Sequence, residues 1–175
     1  PKEKLLNAVN LAEKISGKDI SHPILSNIFF TAKGSTLVVR STNLDLGIEF
    51  SIPAKVEEGG VIVVSGKTLL SLLVNLDKDI NISLSVSSGN LVIFDGKSKS
   101  LLKVHPSEDF PTIPDVKNEK NIILEKRVFL SGLQSVWYSA SVSSIKPELS
   151  GVFIYKDGGD LVFVATDSFR LAEKK

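Results

Sequence analysis

Few residues in this sequence have the types and spacing that a catalytic site needs. The two histidines, His22 and His105, each stand beside a proline, and neither has metal-ligand spacing around it. The acids Asp77 and Asp79 flank a lysine at the end of a predicted helix, where charged side chains commonly face solvent. The segment Ser65-Gly66-Lys67-Thr68 lacks the earlier glycine of a phosphate-binding loop. We therefore predict no catalytic site, no metal site and no cofactor.

Composition excludes several other classes of protein. The chain has 175 residues, of which 42% are hydrophobic and 23% charged, as expected of a globular protein. Its 21 basic residues nearly balance 20 acidic ones, which argues against coating nucleic acid by charge alone. Cysteines are absent and no apolar run is long enough to span a membrane, so we predict a cytoplasmic protein. Since the chain starts at Pro1 without any methionine, we expect its natural start to lie outside this sequence.

Hydrophobic periodicity predicts an α+β fold. Helical spacing of apolar residues runs from Lys2 to Ile15, and a second helix follows Ser65, whose hydroxyl can cap it. Ile80–Val86 alternates apolar and polar residues, which indicates an antiparallel strand with one buried face. Several more strand-like runs include Leu44–Ile52. The proline-rich stretch His105–Asp115 interrupts this pattern and is predicted to be a linker.

The chain matches itself when it is shifted by 124 residues. A third helix is predicted over Lys126–Ser139, at the same distance from the matching strands as the first helix. Chance similarity between two strand–turn–strand units is the alternative. We prefer a duplicated domain whose second copy is incomplete, and we expect the parent protein to continue past Lys175. The identical pairs are Pro23/Pro147, Leu25/Leu149, Ser26/Ser150, Phe29/Phe153, Gly34/Gly158, Leu37/Leu161, Val38/Val162 and Thr42/Thr166.

Five segments carry a resemblance to a known family. In the first copy these are Pro23–Asn27, Ser41–Leu46 and Ser107–Pro111. In the second copy, Ser144–Val152 and Ala165–Ala172 are more specific, above all Thr-Asp-x-x-Arg-Leu-Ala after a strand. Together they resemble the bacterial DNA sliding clamp, the beta subunit of DNA polymerase III. The resemblance covers nearly the whole chain.

The resemblance implies an α+β fold of repeated clamp domains, each with two helices packed on antiparallel sheets. Residues 1–116 would be a first clamp domain without its extreme N-terminus. Residues 117–175 would be the first half of a second domain, and a third domain would be absent from this chain. In the full-length protein, two chains would close head to tail into a homodimeric ring around duplex DNA. Such a ring is a processivity factor in DNA replication and not an enzyme.

A sliding ring needs contacts that are equal at every position, and attraction between basic side chains and phosphates is independent of sequence. The resemblance places DNA-touching loops at Lys18 and Lys146, and the helix residues Lys14 and Arg127 could add to a positive lining. Each of these side chains could instead be an ordinary solvated charge.

The resemblance also implies a groove that binds short apolar peptides from the DNA polymerase III catalytic subunit, the clamp loader and repair proteins. Many family members have Gly-His where this chain has Ser168-Phe169, which leaves the peptide preference open. Leu149 and Leu171 could alternatively be plain core residues. The groove residues carried over are Leu149, Thr166, Ser168, Phe169, Arg170 and Leu171.

Leu72 and Leu101 are candidates for the subunit interface of the ring, although core packing would explain Leu72 equally well.

Two other classes of protein stay open. One is a duplicated β-rich module for adhesion or carbohydrate binding, which should expose aromatic platforms, whereas Trp137 falls in a predicted helix. The other is an enzyme whose site lies outside this chain.

Overall fold

The computed structural model describes residues 1–17, 22–113, 123–143 and 145–175. The chain divides into two compact units, Pro1–Asp115 and Val116–Lys175, called here the first and second units. Both units combine helices with antiparallel sheets, which confirms the predicted α+β class.

In its described residues, the first unit has a seven-stranded antiparallel sheet and two α-helices. The sheet order is β3-β2-β1-β4-β7-β6-β5. A 3-10 turn over Pro23–Ser26 leads into the first strand. The helices and strands are α1 (Lys2–Ile15), β1 (Asn27–Lys33), β2 (Thr36–Thr42), β3 (Gly47–Pro53), β4 (Gly60–Ser65), α2 (Gly66–Asn75), β5 (Ser83–Ser87), β6 (Asn90–Phe94) and β7 (Lys99–His105).

The second unit has one helix and a three-stranded antiparallel sheet of order β10-β9-β8 among its described residues. The helix α3 continues into a 3-10 turn over Trp137–Ser139, and another 3-10 turn covers Pro147–Leu149. The third helix was predicted over Lys126–Ser139. Its α-helical part ends at Val136, and the last three predicted residues form a 3-10 turn. The elements are α3 (Lys126–Val136), β8 (Phe153–Asp157), β9 (Asp160–Thr166) and β10 (Leu171–Lys174).

Helix α1 packs on the first sheet through the apolar face that its sequence predicts. Leu5, Ala8, Val9 and Ala12 are buried there, and full burial of an aliphatic side chain contributes roughly 1.5–3 kcal/mol. Lys2 is also buried, at 2% exposure, and its ammonium donates a hydrogen bond to the carbonyl of Leu76 at the end of α2. This bond neutralises part of the negative end of the α2 dipole.

Helix α2 begins as its sequence predicts. The Ser65 hydroxyl accepts a hydrogen bond from the Thr68 amide at 3.4 Å, which caps the helix. A Cβ on Gly66 would lie 2.9 Å from the Ile28 side chain, so the glycine permits close packing of this first turn. The Gly-Lys-Thr sequence therefore serves the start of a helix and not a phosphate-binding loop.

The contact between helix and sheet is made by different pairs of residues in the two units. A Cβ on Gly132 of α3 would lie 2.4 Å from Cε2 of Phe163, so only glycine leaves room for the ring. The corresponding positions of the first unit, 124 residues earlier, hold Ala8 and Val39, both in its core. A smaller helix residue thus compensates for a larger strand residue.

Candidate functional site

The turn between β9 and β10 is held by its own side chains. The Thr166 hydroxyl donates to the carbonyl of Arg170 at 2.7 Å and accepts from the Ser168 amide at 3.1 Å. One carboxylate oxygen of Asp167 accepts from the amides of Phe169 at 3.0 Å and Arg170 at 2.9 Å. The backbone of this turn, called here the Thr166–Leu171 turn, is therefore fixed without help from another element.

The first unit repeats this turn bond for bond. The Thr42 hydroxyl donates to the carbonyl of Leu46 at 3.0 Å and accepts from the Leu44 amide at 3.0 Å. The Asn43 side chain accepts from the amides of Asp45 at 3.1 Å and Leu46 at 2.8 Å. Leu44 and Ser168 occupy the same position with φ of 78° and 77°, a region that costs free energy for non-glycine residues. The same unusual backbone in both units shows that the sequence repeat is also a structural repeat.

The Thr166–Leu171 turn presents large side chains to solvent. Phe169 is 97% exposed and Leu171 is 65% exposed. The Arg170 guanidinium lies 2.9 Å from the second carboxylate oxygen of Asp167, which orients it beside the turn. Apolar side chains around an oriented guanidinium suit a short peptide that carries an aliphatic residue and a carboxylate or free carbonyl.

Leu149 is the groove candidate that lies outside the turn. It ends the 3-10 turn Pro147–Leu149, and its carbonyl accepts a hydrogen bond from the Ser141 amide at 2.8 Å. In the first unit, Leu25 accepts the equivalent bond from Gly17 at 2.9 Å. Leu25 lines a concavity of about 590 Å³ together with residues 43–45 of the equivalent turn. The repeat therefore predicts that Leu149 lies near the Thr166–Leu171 turn, as Leu25 lies near residues 43–45.

Asp167 is a residue that the sequence-based set of groove residues missed. Amide donation from Phe169, and then from Arg170, holds the pKa of the Asp167 carboxyl below its ordinary value of 3.8. The signal was present in the sequence, since Asn43 stands at the same position of the first copy. Asparagine and aspartate share the side-chain oxygen that such turns require.

We expect the turn to lose stability in acid. A carboxyl whose pKa is lower in the folded state stabilises the fold above its unfolded pKa, and this stabilisation disappears as the pH falls through the folded value. In an NMR titration, the Phe169 and Arg170 amide resonances should move with an apparent pKa below 3.8. In Asp167→Asn the turn should persist, as it does around Asn43, without that pH dependence. Asp160→Asn, at the start of β9, is the matched control and should leave the titration unchanged.

Three of the four predicted DNA contacts lie in described residues. Lys14 is exposed in the last turn of α1, and Arg127 and Lys146 are exposed in the second unit. None of these three forms an ion pair with another residue that the structure describes, so their charges are available to solvent or a ligand. Lys18 lies outside the described residues.

The two interface candidates face different environments. Leu72, on α2, is half-buried and packs against the core of the first unit. Leu101, on β7, is 66% exposed and alternates with Leu102, which is buried in that core. Because neighbouring strand residues point to opposite faces of a sheet, Leu101 points away from the side on which Leu72 packs. Within the described residues of the first unit, the two leucines do not form one surface.

Neither histidine lies in an arrangement of side chains that suggests catalysis. His105 ends β7, opposite Val63 of β4, and His22 precedes the 3-10 turn Pro23–Ser26. Across the described ranges, no group of three or more acids or histidines is placed to hold a metal ion.

The same part of the chain contains no helix long and apolar enough to cross a membrane.

Solved structures identify the class of protein to which this arrangement belongs. The DNA polymerase III subunit beta from Pseudomonas aeruginosa superposes with a TM-score of 0.91 at 25% identity, covering 98% of this chain and 47% of that chain. Caulobacter crescentus pol III beta gives a TM-score of 0.90 at 28% identity, covering 98% and 48%. The fold is thus that of DNA polymerase III beta domains.

The sequence comparisons name the family. Residues 1–114 match the family described as "DNA polymerase III beta subunit, N-terminal domain". The chain therefore belongs to the DNA polymerase III beta subunit family. A "Beta sliding clamp" from Streptococcus pneumoniae is 29% identical over 182 residues, which cover 99% of this chain and 48% of that protein. The chain thus spans about half the length of the curated relatives that it matches.

Proposed function

We propose that the protein containing this chain is a processivity factor of DNA replication, a non-catalytic ring that encircles duplex DNA in the cytoplasm and slides along it. The observation that carries this proposal is the structural repeat within a chain of the DNA polymerase III beta subunit family. A ring of repeated domains holds DNA by topology, so it needs neither base-reading side chains nor a reaction centre. Family membership does not favour the alternative of an adhesion or carbohydrate-binding module.

The domain interpretation of the resemblance is part of this proposal. The first unit would be one complete clamp domain except for its extreme N-terminus, and the second unit would be the first half of the next domain. Two full-length chains would close the ring as a homodimer, with Leu101 near the subunit contact. Leu72 packs against the core of the first unit and is not proposed for the same surface. The exposure of Leu101 supports its role, because an apolar side chain in solvent gains from a partner that covers it.

Sliding requires weak contacts with phosphates, and the exposed Lys14, Arg127 and Lys146 support this role in the proposed ring. Lys18 is the fourth proposed DNA contact, and it is supported by the family resemblance alone. Phosphate attraction is the same for every base pair, so these side chains hold the duplex without fixing its position.

Tethering requires a docking site for partner proteins, and the exposed Thr166–Leu171 turn with Leu149 supports one. Its partners would be the DNA polymerase III catalytic subunit, the clamp loader and repair proteins, each through a short apolar peptide. Phe169 would add an exposed phenyl ring to this site and is expected to influence which peptides are preferred.

The role of the basic residues is tested by the salt dependence of duplex binding. We expect full-length protein with Lys14→Ala, Arg127→Ala and Lys146→Ala to bind duplex DNA more weakly. The steepness of the plot of log K against log salt should fall by about 0.9 for each phosphate that the variant no longer neutralises. Fluorescence anisotropy with a labelled duplex at several salt concentrations measures that slope.

The matched control is Lys55→Ala, which removes an exposed lysine that already pairs with Glu57 at 2.8 Å. It should leave the slope unchanged. A triple variant with the wild-type slope would remove these three residues from the proposed DNA-contact surface.

A further inference from the structure

The first unit has a concavity where the end of α1 comes close to the turn between β2 and β3. Its volume, about 590 Å³, lies within the range of pockets that hold small ligands. The side chains that line it include the apolar Ile15, Leu25 and Leu44 and the polar Lys14 and Asn43. The concavity therefore combines an apolar surface with groups that can bond to a charged ligand.

Asn43 holds a hydrogen-bond donor in a fixed orientation. Its side-chain oxygen accepts from the amides of Asp45 at 3.1 Å and Leu46 at 2.8 Å, which fixes the plane of the carboxamide. The Nδ2 group on the other branch of that carboxamide donates to no residue that the structure describes. In the second unit Asp167 stands here, and its second oxygen bonds the Arg170 guanidinium. The first unit thus offers an amide donor where the second unit has a carboxylate.

Basic side chains surround this donor. Lys14 and His22 are exposed residues of the lining, and Lys14 forms no ion pair with any residue that the structure describes. Asp45 is the one acid among the described lining residues. A carboxylate can accept hydrogen bonds from an ammonium, an imidazole and an amide alike. The charges of the concavity therefore favour an anionic ligand.

The apolar and polar parts of the concavity lie next to each other. A Cβ on Gly17 would be 2.7 Å from the Cβ of Leu25 and 3.7 Å from the Cα of Asn43, so both residues border one small region. The Gly17 amide also donates to the carbonyl of Leu25 at 2.9 Å, which fixes this contact. A matching ligand carries its apolar group and its negative charge within a few bonds of each other.

We propose that this concavity binds the C-terminal residue of a partner protein. An aliphatic side chain lies against Leu25 and Leu44, and the terminal carboxylate accepts from Asn43 and Lys14. A C-terminal leucine or valine carries both groups on one Cα, which matches the short distance between the apolar and polar parts. Capture of a terminal carboxylate by fixed donors is a recurring mode of peptide recognition. The site belongs to the first unit and does not depend on peptide docking at the Thr166–Leu171 turn.

The test uses full-length protein and a fluorescein-labelled peptide, Gly-Ser-Gly-Val-Leu, with a free C-terminus. The protein carries Leu149→Ala, Arg170→Ala and Leu171→Ala, so that docking at the Thr166–Leu171 turn does not contribute to the signal. We expect saturable binding to this substituted protein in fluorescence anisotropy. The same peptide with a C-terminal amide should bind at least about tenfold more weakly, because it loses its charge-assisted hydrogen bonds.

Asn43→Asp, added to the substituted protein, separates binding from folding, because Asp167 shows that aspartate holds the same turn. The turn should persist, while the amide donor becomes a carboxylate oxygen that repels the peptide terminus, and we expect binding at least about tenfold weaker. Asp45→Asn removes the acid of the lining and should tighten binding by about twofold. Asn90→Asp is the matched control, since it adds the same charge to the first unit outside the concavity, and it should leave the affinity unchanged.

Three results would overturn the proposal. The first is no saturable binding to the substituted protein, and binding to the wild type alone would then place the peptide at the Thr166–Leu171 turn. The second is equal affinity for the amidated peptide, which would show that the terminal carboxylate is not recognised. The third is an unchanged affinity in Asn43→Asp, which would place the peptide outside the concavity.

Discussion

Replacing Gly132 by alanine is expected to destabilise the second unit by about 1–3 kcal/mol, the usual cost of forcing extra volume into a packed core. In an open helix the same substitution would stabilise by about 1 kcal/mol, because alanine has the higher helix propensity. Here the new methyl would lie 2.4 Å from the Phe163 ring, so steric strain outweighs propensity. Urea unfolding followed by Trp137 fluorescence measures the change.

The first unit suggests a second substitution that should compensate for Gly132→Ala. Combining Gly132→Ala with Phe163→Val recreates the Ala8 and Val39 pair of the first unit, and we expect it to recover part of the lost stability. Gly159→Ala is the matched control, since a Cβ there has open space around it, and it should stay within about 0.5 kcal/mol of wild type. A Gly132→Ala protein as stable as wild type would contradict the packing account.

The second large effect concerns the proposed peptide groove. In the full-length protein, truncating Leu149, Arg170 and Leu171 together to alanine is expected to weaken binding of a partner peptide by at least about 30-fold, because one hot-spot residue at an interface contributes about 2 kcal/mol or more. The readout is fluorescence anisotropy of a labelled peptide taken from the polymerase's clamp-binding segment.

The repeat provides the control for the groove. Leu46 stands in the first unit where Arg170 stands in the second, and it is 53% exposed. Leu46→Ala should leave peptide affinity unchanged although it alters the same kind of turn. If the triple variant bound the peptide as tightly as wild type, docking at the Thr166–Leu171 turn would be refuted.

Elements with strong periodicity were predictable from the sequence. Helix α1 has the predicted bounds, and the Ser65 cap of α2 forms as expected. The predicted strand Leu44–Ile52 was too long at its start, because the side chains of Thr42 and Asn43 bond the backbone into a turn up to Leu46. Local side-chain hydrogen bonds compete with extended pairing, and alternation of apolar residues does not reveal them.

The predicted strand from Ile80 to Val86 also began too early, since β5 starts at Ser83. The backbone of Ile80 instead accepts a hydrogen bond from the Lys2 amide at 2.9 Å, which ties the start of α1 to this segment. Such a contact joins residues far apart in the chain. It depends on tertiary structure, so local patterning could not predict it.

The candidate site rests mainly on resemblance and repetition. Spacing alone would not have distinguished Arg170 from an ordinary surface arginine. What the sequence could not provide is the shared backbone of the two turns. That similarity shows why Thr166 and Asp167 stand where they do, since each supplies the hydrogen bonds that hold the exposed residues in place.

The most direct test of the proposed function is retention on DNA of defined topology. Full-length protein would be loaded onto nicked circular DNA, and the circle would then be linearised with a restriction enzyme. A ring that holds DNA by encircling it predicts stable retention on the circle and rapid loss from the linear form. Equal retention on both forms would mean ordinary binding to the duplex and would contradict the sliding-clamp function.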